Sequence, residues 1–137
     1  MKIYIAYKLS GVDREQLQKR LESISKTIEE TGNKSFIFMR DIQDWQPGDI
    51  GPKEIMDKAM KEMRNCDAIL SIIETQEKGE GLLLESGFMK ALGKKVIIAT
   101  GPNGRGFLLK AIADELIEFE NEGDLKEKLK KAFGTLV

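Results

Sequence analysis

The sequence contains no histidine among its 137 residues. This absence removes the commonest general base near neutral pH and the commonest side-chain metal ligand. Catalysis by Ser-His-Asp or Cys-His groups is therefore excluded. Cys66 is the single cysteine, which excludes an internal disulfide, a CxxC redox pair and a zinc knuckle. We interpret Cys66 as a small buried side chain.

The sequence also lacks an excess of basic residues, because 22 lysines and arginines face 23 acidic residues and give a formal net charge of -1. The protein has no surplus of positive charge to neutralise a phosphate backbone, so we predict no nucleic-acid partner. No apolar run approaches the roughly 20 residues of a membrane span, and the first residues do not form a secretory signal. We therefore expect no membrane partner and a cytoplasmic location.

Five short segments rich in β-branched and aromatic residues alternate with segments of helical periodicity. The predicted strands cover residues 2–7, 35–39, 67–73, 95–99 and 116–119. The third is almost continuously apolar, which is typical of a strand covered on both faces in a parallel sheet. Short connections favour right-handed crossovers. We predict one α/β domain over residues 1–137, with three layers and a doubly wound five-stranded parallel sheet in the flavodoxin-like order 2-1-3-4-5.

In such a fold the ligand lies beyond the carboxyl ends of the strands where the winding reverses, here the first and third strands. The loops at this edge cover residues 8–12, 40–51, 74–81 and 100–106. The last loop is rich in glycine and holds Arg105, but it lacks the Lys-Ser/Thr pair of a P-loop and follows the fourth strand. We therefore assign it no nucleotide-binding motif.

A carboxylate, Glu85, lies on an apolar helical face. It shares helical spacing with Phe88, Met89 and Leu92 on the helix predicted over residues 82–92. This helix directly follows the loop that leaves the third strand. Burial raises the pKa of such a carboxyl group and a helix N-terminus lowers it, so the sequence leaves the net direction open. The structural alternative is that Glu85 reaches the helix edge or pairs with a lysine.

The residues around Glu85 resemble the nucleoside 2-deoxyribosyltransferase family. The resemblance rests on the segments DAIL (67–70), GLLLESGF (81–88) and ALGKKVI (91–97), and on the opening KIYIA (2–6). In that family, a strand that opens with Asp leads to a glycine-containing loop, a Glu-x-Gly helix and a Gly-Lys-x-Val entry to the next strand. The specific part covers residues 67–100, about a quarter of the chain.

The resemblance implies that Glu85 is the nucleophile that attacks C1′ of a 2-deoxyribosyl group. Cleavage of an N-glycosidic bond passes through an oxocarbenium-like transition state, which a carboxylate stabilises and traps as a covalent glycosyl-enzyme. Water or another nucleobase then accepts the sugar. The expected substrate is a nucleoside or, as in the monophosphate N-glycosidase-like members, a nucleotide. No metal or other cofactor is expected, and a homodimer or higher homo-oligomer is implied because family members complete their sites across a subunit contact.

The sequence departs from the family pattern at two positions. The family usually places an aspartate on the second helix, where this chain has Ala59, so the nearby Asp57 becomes the candidate for proton transfer. Relatives that act on monophosphates hold the phosphate with serines, whereas Gly79 occupies the corresponding position here. Backbone N–H groups of Gly79 to Gly81 at the helix N-terminus are the alternative phosphate ligands. Phosphorylated and unphosphorylated substrates both remain open.

Further candidate residues lie at the end of the first strand. Ala6 and Tyr7 end that strand, and Ser10 and Gly11 follow in the same predicted wall of the substrate site. The Tyr7 hydroxyl is predicted to reach Glu85 or the sugar. The alternative is an ordinary strand-end tyrosine.

The loop beyond the second strand supplies three more candidates. Trp45 is predicted either to stack on the nucleobase as a lid or to anchor the loop. Asp41 and Asp44 are candidates for hydrogen bonds to the leaving base or for donating a proton to it. The alternative for both carboxylates is that they face water.

The sequence leaves two other functions open. A TIR-like NAD-cleaving domain shares this layout and a helix glutamate, and nicotinamide release would identify it. A non-catalytic nucleotide-binding or signalling module is favoured by Ala59 in place of the expected acid. Tight nucleotide binding without turnover would identify that module.

Overall fold

The computed structural model describes residues 1–7, 13–46, 48, 50–75, 79–104 and 106–134. Five strands form one sheet in the order β2-β1-β3-β4-β5, and every neighbouring pair is parallel. The sheet order and direction confirm the predicted fold class. The strands are β1 (Lys2–Tyr7), β2 (Lys34–Ile37), β3 (Ala68–Ile73), β4 (Lys95–Thr100) and β5 (Glu115–Glu118).

Helices cover both faces of the sheet. They are α1 (Arg14–Glu30), α2 (Phe38–Asp41), α3 (Pro52–Arg64), α4 (Glu80–Ala91), α5 (Phe107–Ile112) and α6 (Glu122–Gly134). One apolar core joins the sheet to α1 and α6, and a second joins it to α3, α4 and α5. We call these the α1 side and the α4 side. Within the described residues, no helix is long and apolar enough to cross a bilayer.

Local signals in the sequence explain where α1 begins and ends. The Asp13 side chain accepts a hydrogen bond from the Glu15 backbone N–H, 3.3 Å away, which satisfies a free donor of the first turn. After the last turn, Gly32 takes a φ of +88°, which glycine adopts without steric cost. These two residues fix the ends of the helix that covers the first strand.

The second strand is shorter than predicted. We expected a strand over residues 35–39 and a loop over residues 40–51, but β2 ends at Ile37 and the short helix α2 follows. The Asp41 carboxylate accepts a hydrogen bond from the Ile37 backbone N–H at 2.9 Å and so satisfies a backbone donor at the start of the helix. An apolar run of this length is compatible with strand or helix, and the capping contact favours the helix.

The alternation of side chains along β1 decides which residues reach the candidate site. Tyr4 and Ala6 lie in the core on the α4 side, whereas Ile3, Ile5 and Tyr7 contact the core on the α1 side. Successive side chains of a strand point to opposite faces, so this division follows from strand geometry. Tyr4 and Ala6 therefore share the face on which α4 packs.

Candidate active site

Glu85 lies in the second turn of α4 and is half-buried. Its side chain lines a cavity of about 110 Å³ at the carboxyl end of β1, between α4 and the end of β2. The other lining residues are Tyr4, Ile5, Ala6, Tyr7, Leu21, Ile37, Phe38 and Met39. In this cavity the only acidic side chain among the described lining residues is Glu85.

The Tyr4 hydroxyl interacts with the Glu85 carboxylate, and both side chains line the same cavity. Burial raises the pKa of Glu85, and the Tyr4 hydrogen bond lowers it by less, so the net direction is upward. The pKa of Tyr4 is also raised, mainly by burial and further by the Glu85 charge. Tyr4 is therefore a neutral donor, and its ring stacks on Phe36 with centroids 5.2 Å apart.

The buried face of α4 is rotated from the one expected. We predicted that Glu85 would stand in the middle of the apolar stripe, but the buried residues are Leu82, Ser86 and Met89. Leu92 is 40% exposed. Ser86 is buried because its hydroxyl forms a 2.7 Å hydrogen bond with Ser71 on β3. Glu85 consequently lies at the edge of the buried face, where its carboxylate meets the cavity.

The hydroxyl that interacts with Glu85 belongs to Tyr4, so the expectation that Tyr7 reaches Glu85 is wrong, whereas a contact between Tyr7 and the sugar stays a prediction. The Tyr7 hydroxyl donates a hydrogen bond to Glu74, which also pairs with Arg20. The reason is the alternation of β1, since Tyr7 faces the α1 side. Tyr4 was missed although the sequence carried the signal, because residues 4 and 6 share one face. The Tyr7 side chain nevertheless lines the Glu85 cavity, as does Ala6.

Asp57 is not brought to Glu85 within this chain. Its side chain is 56% exposed and forms an ion pair with Lys53 at 2.8 Å. Ala59 is buried in the core on the α4 side. Residues two positions apart lie on nearly opposite faces of a helix, so a side chain at 57 cannot replace one at 59.

The candidates beyond β2 are not among the residues that line the cavity. Asp41 binds the Ile37 N–H and the Arg40 guanidinium, the latter at 3.0 Å. Asp44 is exposed, and Trp45 is half-buried against the core on the α1 side. Their φ angles of 50° and 61° lie in the left-handed region, which is strained for such side chains. In this structure Trp45 anchors the loop.

Glycine backbone lies beside the Glu85 carboxylate. A Cβ added at Gly81 would come 3.6 Å from Glu85 Oε1. Gly79 precedes the first turn of α4, which has no side-chain cap. Free N–H groups at such a helix end favour an anion. Ser10, Gly11 and Arg105 lie outside the described residues.

A second polar cluster shares the Tyr7 side chain with the Glu85 cavity. Tyr7, Arg20 and Glu74 line a cavity of about 450 Å³ together with Gln16, Lys19 and Glu122. Arg20 and Glu74 are about one quarter exposed. Among the described residues the Arg20 Nε atom is buried without a hydrogen-bond partner. The cluster ties α1 to the carboxyl ends of β1 and β3.

We expect Glu74→Ala to lower the free energy of unfolding by about 1–3 kcal/mol, because it leaves the Arg20 guanidinium and the Tyr7 hydroxyl without their shared acceptor. Urea denaturation measures the change. The control is Glu22→Ala, which removes an exposed carboxylate from α1 and should change stability by less than about 0.5 kcal/mol. Equal effects of the two substitutions would show that the cluster does not stabilise the fold.

No cluster of three or more cysteine, aspartate or glutamate side chains suited to a metal ion occurs within the described ranges. A parallel sheet in the order 2-1-3-4-5 with helices on both faces defines a flavodoxin-like α/β protein, and a half-buried carboxylate lies beside its first strand. The model of the nucleoside 2-deoxyribosyltransferase family matches residues 3–117, and the chain belongs to that family. Its chemistry is glycosyl transfer or cleavage.

Solved structures share the fold over nearly the whole chain. The CMP N-glycosidase BcmB of Clostridium botulinum has a TM-score of 0.72 at 19% identity, covering 96% of this chain and 99% of its own. A conserved protein from Enterococcus faecalis V583 has a TM-score of 0.72 at 14% identity, with coverages of 96% and 98%. The 2-deoxyribosyltransferase of Bacillus psychrosaccharolyticus has a TM-score of 0.64 at 22% identity, with coverages of 94% and 96%. No curated protein matches the sequence significantly.

Proposed function

We propose that this protein cleaves or transfers the N-glycosidic bond of a 2′-deoxynucleoside or its 5′-monophosphate, with Glu85 as the nucleophile. The observation that carries the proposal is the Glu85 carboxylate, which is half-buried in the cavity at the end of β1 that Tyr4 also lines. Family membership supports the reaction class. The carboxylate supports the mechanism.

The proposed reaction has two steps. The bond between C1′ and the base nitrogen breaks while one Glu85 oxygen forms a bond to C1′, and the base leaves with the bonding electrons and takes up a proton. A carboxylate has two oxygens, so one can accept the Tyr4 hydrogen bond while the other attacks. Water or a second base then displaces Glu85 from the opposite side. Two inversions retain the configuration at C1′.

The first turn of α4 supports a 5′-phosphate as part of the substrate. This turn begins after Gly79 and has no side-chain cap, so its backbone N–H groups are available to an anion. The structural likeness to a CMP N-glycosidase is in keeping with such a substrate. An unphosphorylated nucleoside remains the alternative within the same proposal.

The test is an assay for free base on a panel of 2′-deoxynucleosides and their monophosphates, followed by chromatography with and without a second base. Hydrolysis releases base from either mixture, whereas transfer gives a new nucleoside only when the second base is present. Ribonucleotides and NAD complete the panel. Absence of base release from every deoxy substrate, under conditions where the protein is folded, would overturn the proposal.

We also propose that the protein forms a homo-oligomer through the exposed apolar surface of α4 and α5. This surface consists of Leu83, Leu84, Phe107 and Leu108, of which Phe107 is 88% exposed and Leu108 is 65% exposed. Large exposed apolar patches mark interaction sites. The described residues enclose only about 110 Å³ around Glu85, whereas ligand sites usually measure about 300–1,000 Å³. A second copy on the same helix would add a wall to this small cavity.

We expect the double substitution Phe107→Glu and Leu108→Glu to convert the oligomer to a monomer in size-exclusion chromatography with light scattering. Two carboxylates cannot be desolvated in an apolar contact without a large penalty. The matched control is Leu116→Glu on β5, a 43% exposed leucine outside this surface, which should leave the mass unchanged. An unchanged mass in the double variant would reject this surface as the interface.

A further inference from the structure

Two serine hydroxyls form a buried hydrogen bond directly behind the catalytic carboxylate. Ser71 on β3 and Ser86 on α4 are both 0% exposed, and their oxygens are 2.7 Å apart. The surrounding core on the α4 side includes Ile69 and Met89. A polar pair therefore occupies a position between helix and strand where apolar side chains would also fit.

The energetics of such a pair indicate that it fixes the relative position of two elements rather than adding stability. A buried hydrogen bond between neutral groups contributes little net stability, and replacement of both partners by apolar groups is nearly neutral. Loss of one partner is costly because the other hydroxyl stays buried and unsatisfied. A satisfied polar pair also specifies one relative position of the two elements, whereas apolar contacts tolerate small shifts.

The pair is placed where a shift of α4 would affect the reaction. Ser86 directly follows Glu85, and Ser71 lies opposite Ala6 in the register of β3 with β1. Ala6 lines the Glu85 cavity. The start of α4 has no side-chain cap that would hold it from the other end. Side chains of α4 thus meet the sheet at two places: Glu85 interacts with Tyr4 on β1, and Ser86 forms a hydrogen bond with Ser71 on β3.

We propose that the Ser71–Ser86 hydrogen bond is a positioning device that fixes the rotation and height of α4 on the sheet and so holds the Glu85 carboxylate against Tyr4 and the cavity. Neither serine touches the substrate, so both are positioning residues. This inference rests on the proposed role of Glu85. A displacement of about 1 Å at a reacting group can lower a rate about 100-fold, so small shifts of α4 are sufficient for a large effect.

The test compares Ser71→Ala, Ser86→Ala and the double variant with wild type. Each single variant should lower the thermal midpoint by roughly 4 °C or more, because one buried hydroxyl loses its partner. The double variant should recover most of that loss, because no unsatisfied hydroxyl remains. Its kcat should nevertheless fall about 10–100-fold, with KM within about twofold of wild type.

The control pair is Ser25→Ala with Ser35→Ala, which removes another hydroxyl pair, 2.5 Å apart, that links α1 to β2. This double variant should keep the wild-type kcat. A second readout is the Glu85 pKa, followed by NMR of ¹³C-labelled glutamate. It should rise when Ser71 and Ser86 are both replaced, because the Tyr4 hydrogen bond weakens, and stay constant in the control pair.

The outcomes separate the two proposals. Wild-type kcat and an unchanged Glu85 pKa in the double Ser71/Ser86 variant would overturn the positioning role. The positioning role would also be overturned if the variants lose activity only in proportion to the fall in their thermal midpoints. If wild type releases no base but the Glu85 pKa still responds to the double substitution, the proposed function fails while the positioning of Glu85 stands.

Discussion

Glu85→Gln should lower kcat for base release by at least about 10³-fold, because a neutral amide can neither stabilise the oxocarbenium-like charge nor form the ester to C1′. Glutamine keeps the size of the side chain and can still accept the Tyr4 hydrogen bond. The substrate site therefore retains its shape, and KM should change much less than kcat. Single-turnover measurement of base release would separate the chemical step from binding.

The stability of the same variant shows whether lost turnover reflects lost folding. Burial raises the pKa of Glu85 in the folded protein above its value in the unfolded chain, so the folded state binds more protons between those two pKa values. The wild-type protein therefore loses stability as pH rises through this window. Because glutamine carries no charge, we expect Glu85→Gln to be more stable than wild type at pH 7.

That advantage should vanish at a pH well below about 4.3, the ordinary pKa of a glutamate, where Glu85 is protonated in both states. The matched control is Glu80→Gln, an exposed acid in the first turn of the same helix, which should keep both kcat and the pH dependence of stability. Turnover by Glu85→Gln close to that of wild type would show that another group attacks C1′.

Tyr4→Phe should lower kcat/KM at neutral pH by about 10–100-fold, which corresponds to the loss of a hydrogen bond to a charged group. It should also move the acid limb of the kcat/KM profile to higher pH, because the Tyr4 hydrogen bond is the contact that lowers the pKa of Glu85. Phenylalanine keeps the ring that stacks on Phe36, so the core stays filled. A pH profile from about pH 4 to 9 measures the shift.

The control for Tyr4→Phe is Tyr7→Phe on the same strand. The Tyr7 hydroxyl binds Glu74 and not Glu85, so its removal should leave the acid limb in place. If the limb moves in Tyr7→Phe and stays in Tyr4→Phe, the geometry of β1 described above does not govern the Glu85 carboxylate in solution.

The architecture could be predicted because it depends on periodicity, and alternating strands and amphipathic helices give the sheet order. The role of Glu85 stays a prediction, since helical spacing drew attention to this acid but placed it on a face that is rotated from the buried one. Tyr4 was also accessible from the sequence, since strand alternation places residue 4 and not residue 7 on the face that α4 covers. Tyr7 was favoured because it ends the strand, where the ligand is expected to lie.

Other features depend on contacts and side-chain directions that hydrophobic periodicity does not reveal. The rotation of α4 depends on the hydrogen bond between Ser86 and Ser71, which are 15 residues apart in the sequence. The short helix α2 depends on the Asp41 carboxylate reaching back to the Ile37 N–H. Asp57 lies only two residues from Ala59, the position at which the family has an aspartate. A two-residue offset on a helix directs the Asp57 side chain to the opposite face, where it is exposed to solvent. Only the rotation of α4 requires knowledge of which elements contact each other, whereas the other two cases arise within one segment of the chain.

The most direct measurement is to trap the sugar on the enzyme. A 2′-fluoro substrate analogue destabilises the oxocarbenium-like transition state and slows both steps, so the intermediate should accumulate after base release. Acid quenching, proteolysis and mass spectrometry should then find the sugar as an ester on the peptide that contains Glu85, and no such adduct in Glu85→Gln. Stoichiometric base release with an unmodified Glu85 peptide, or with the sugar on another residue, would contradict the account.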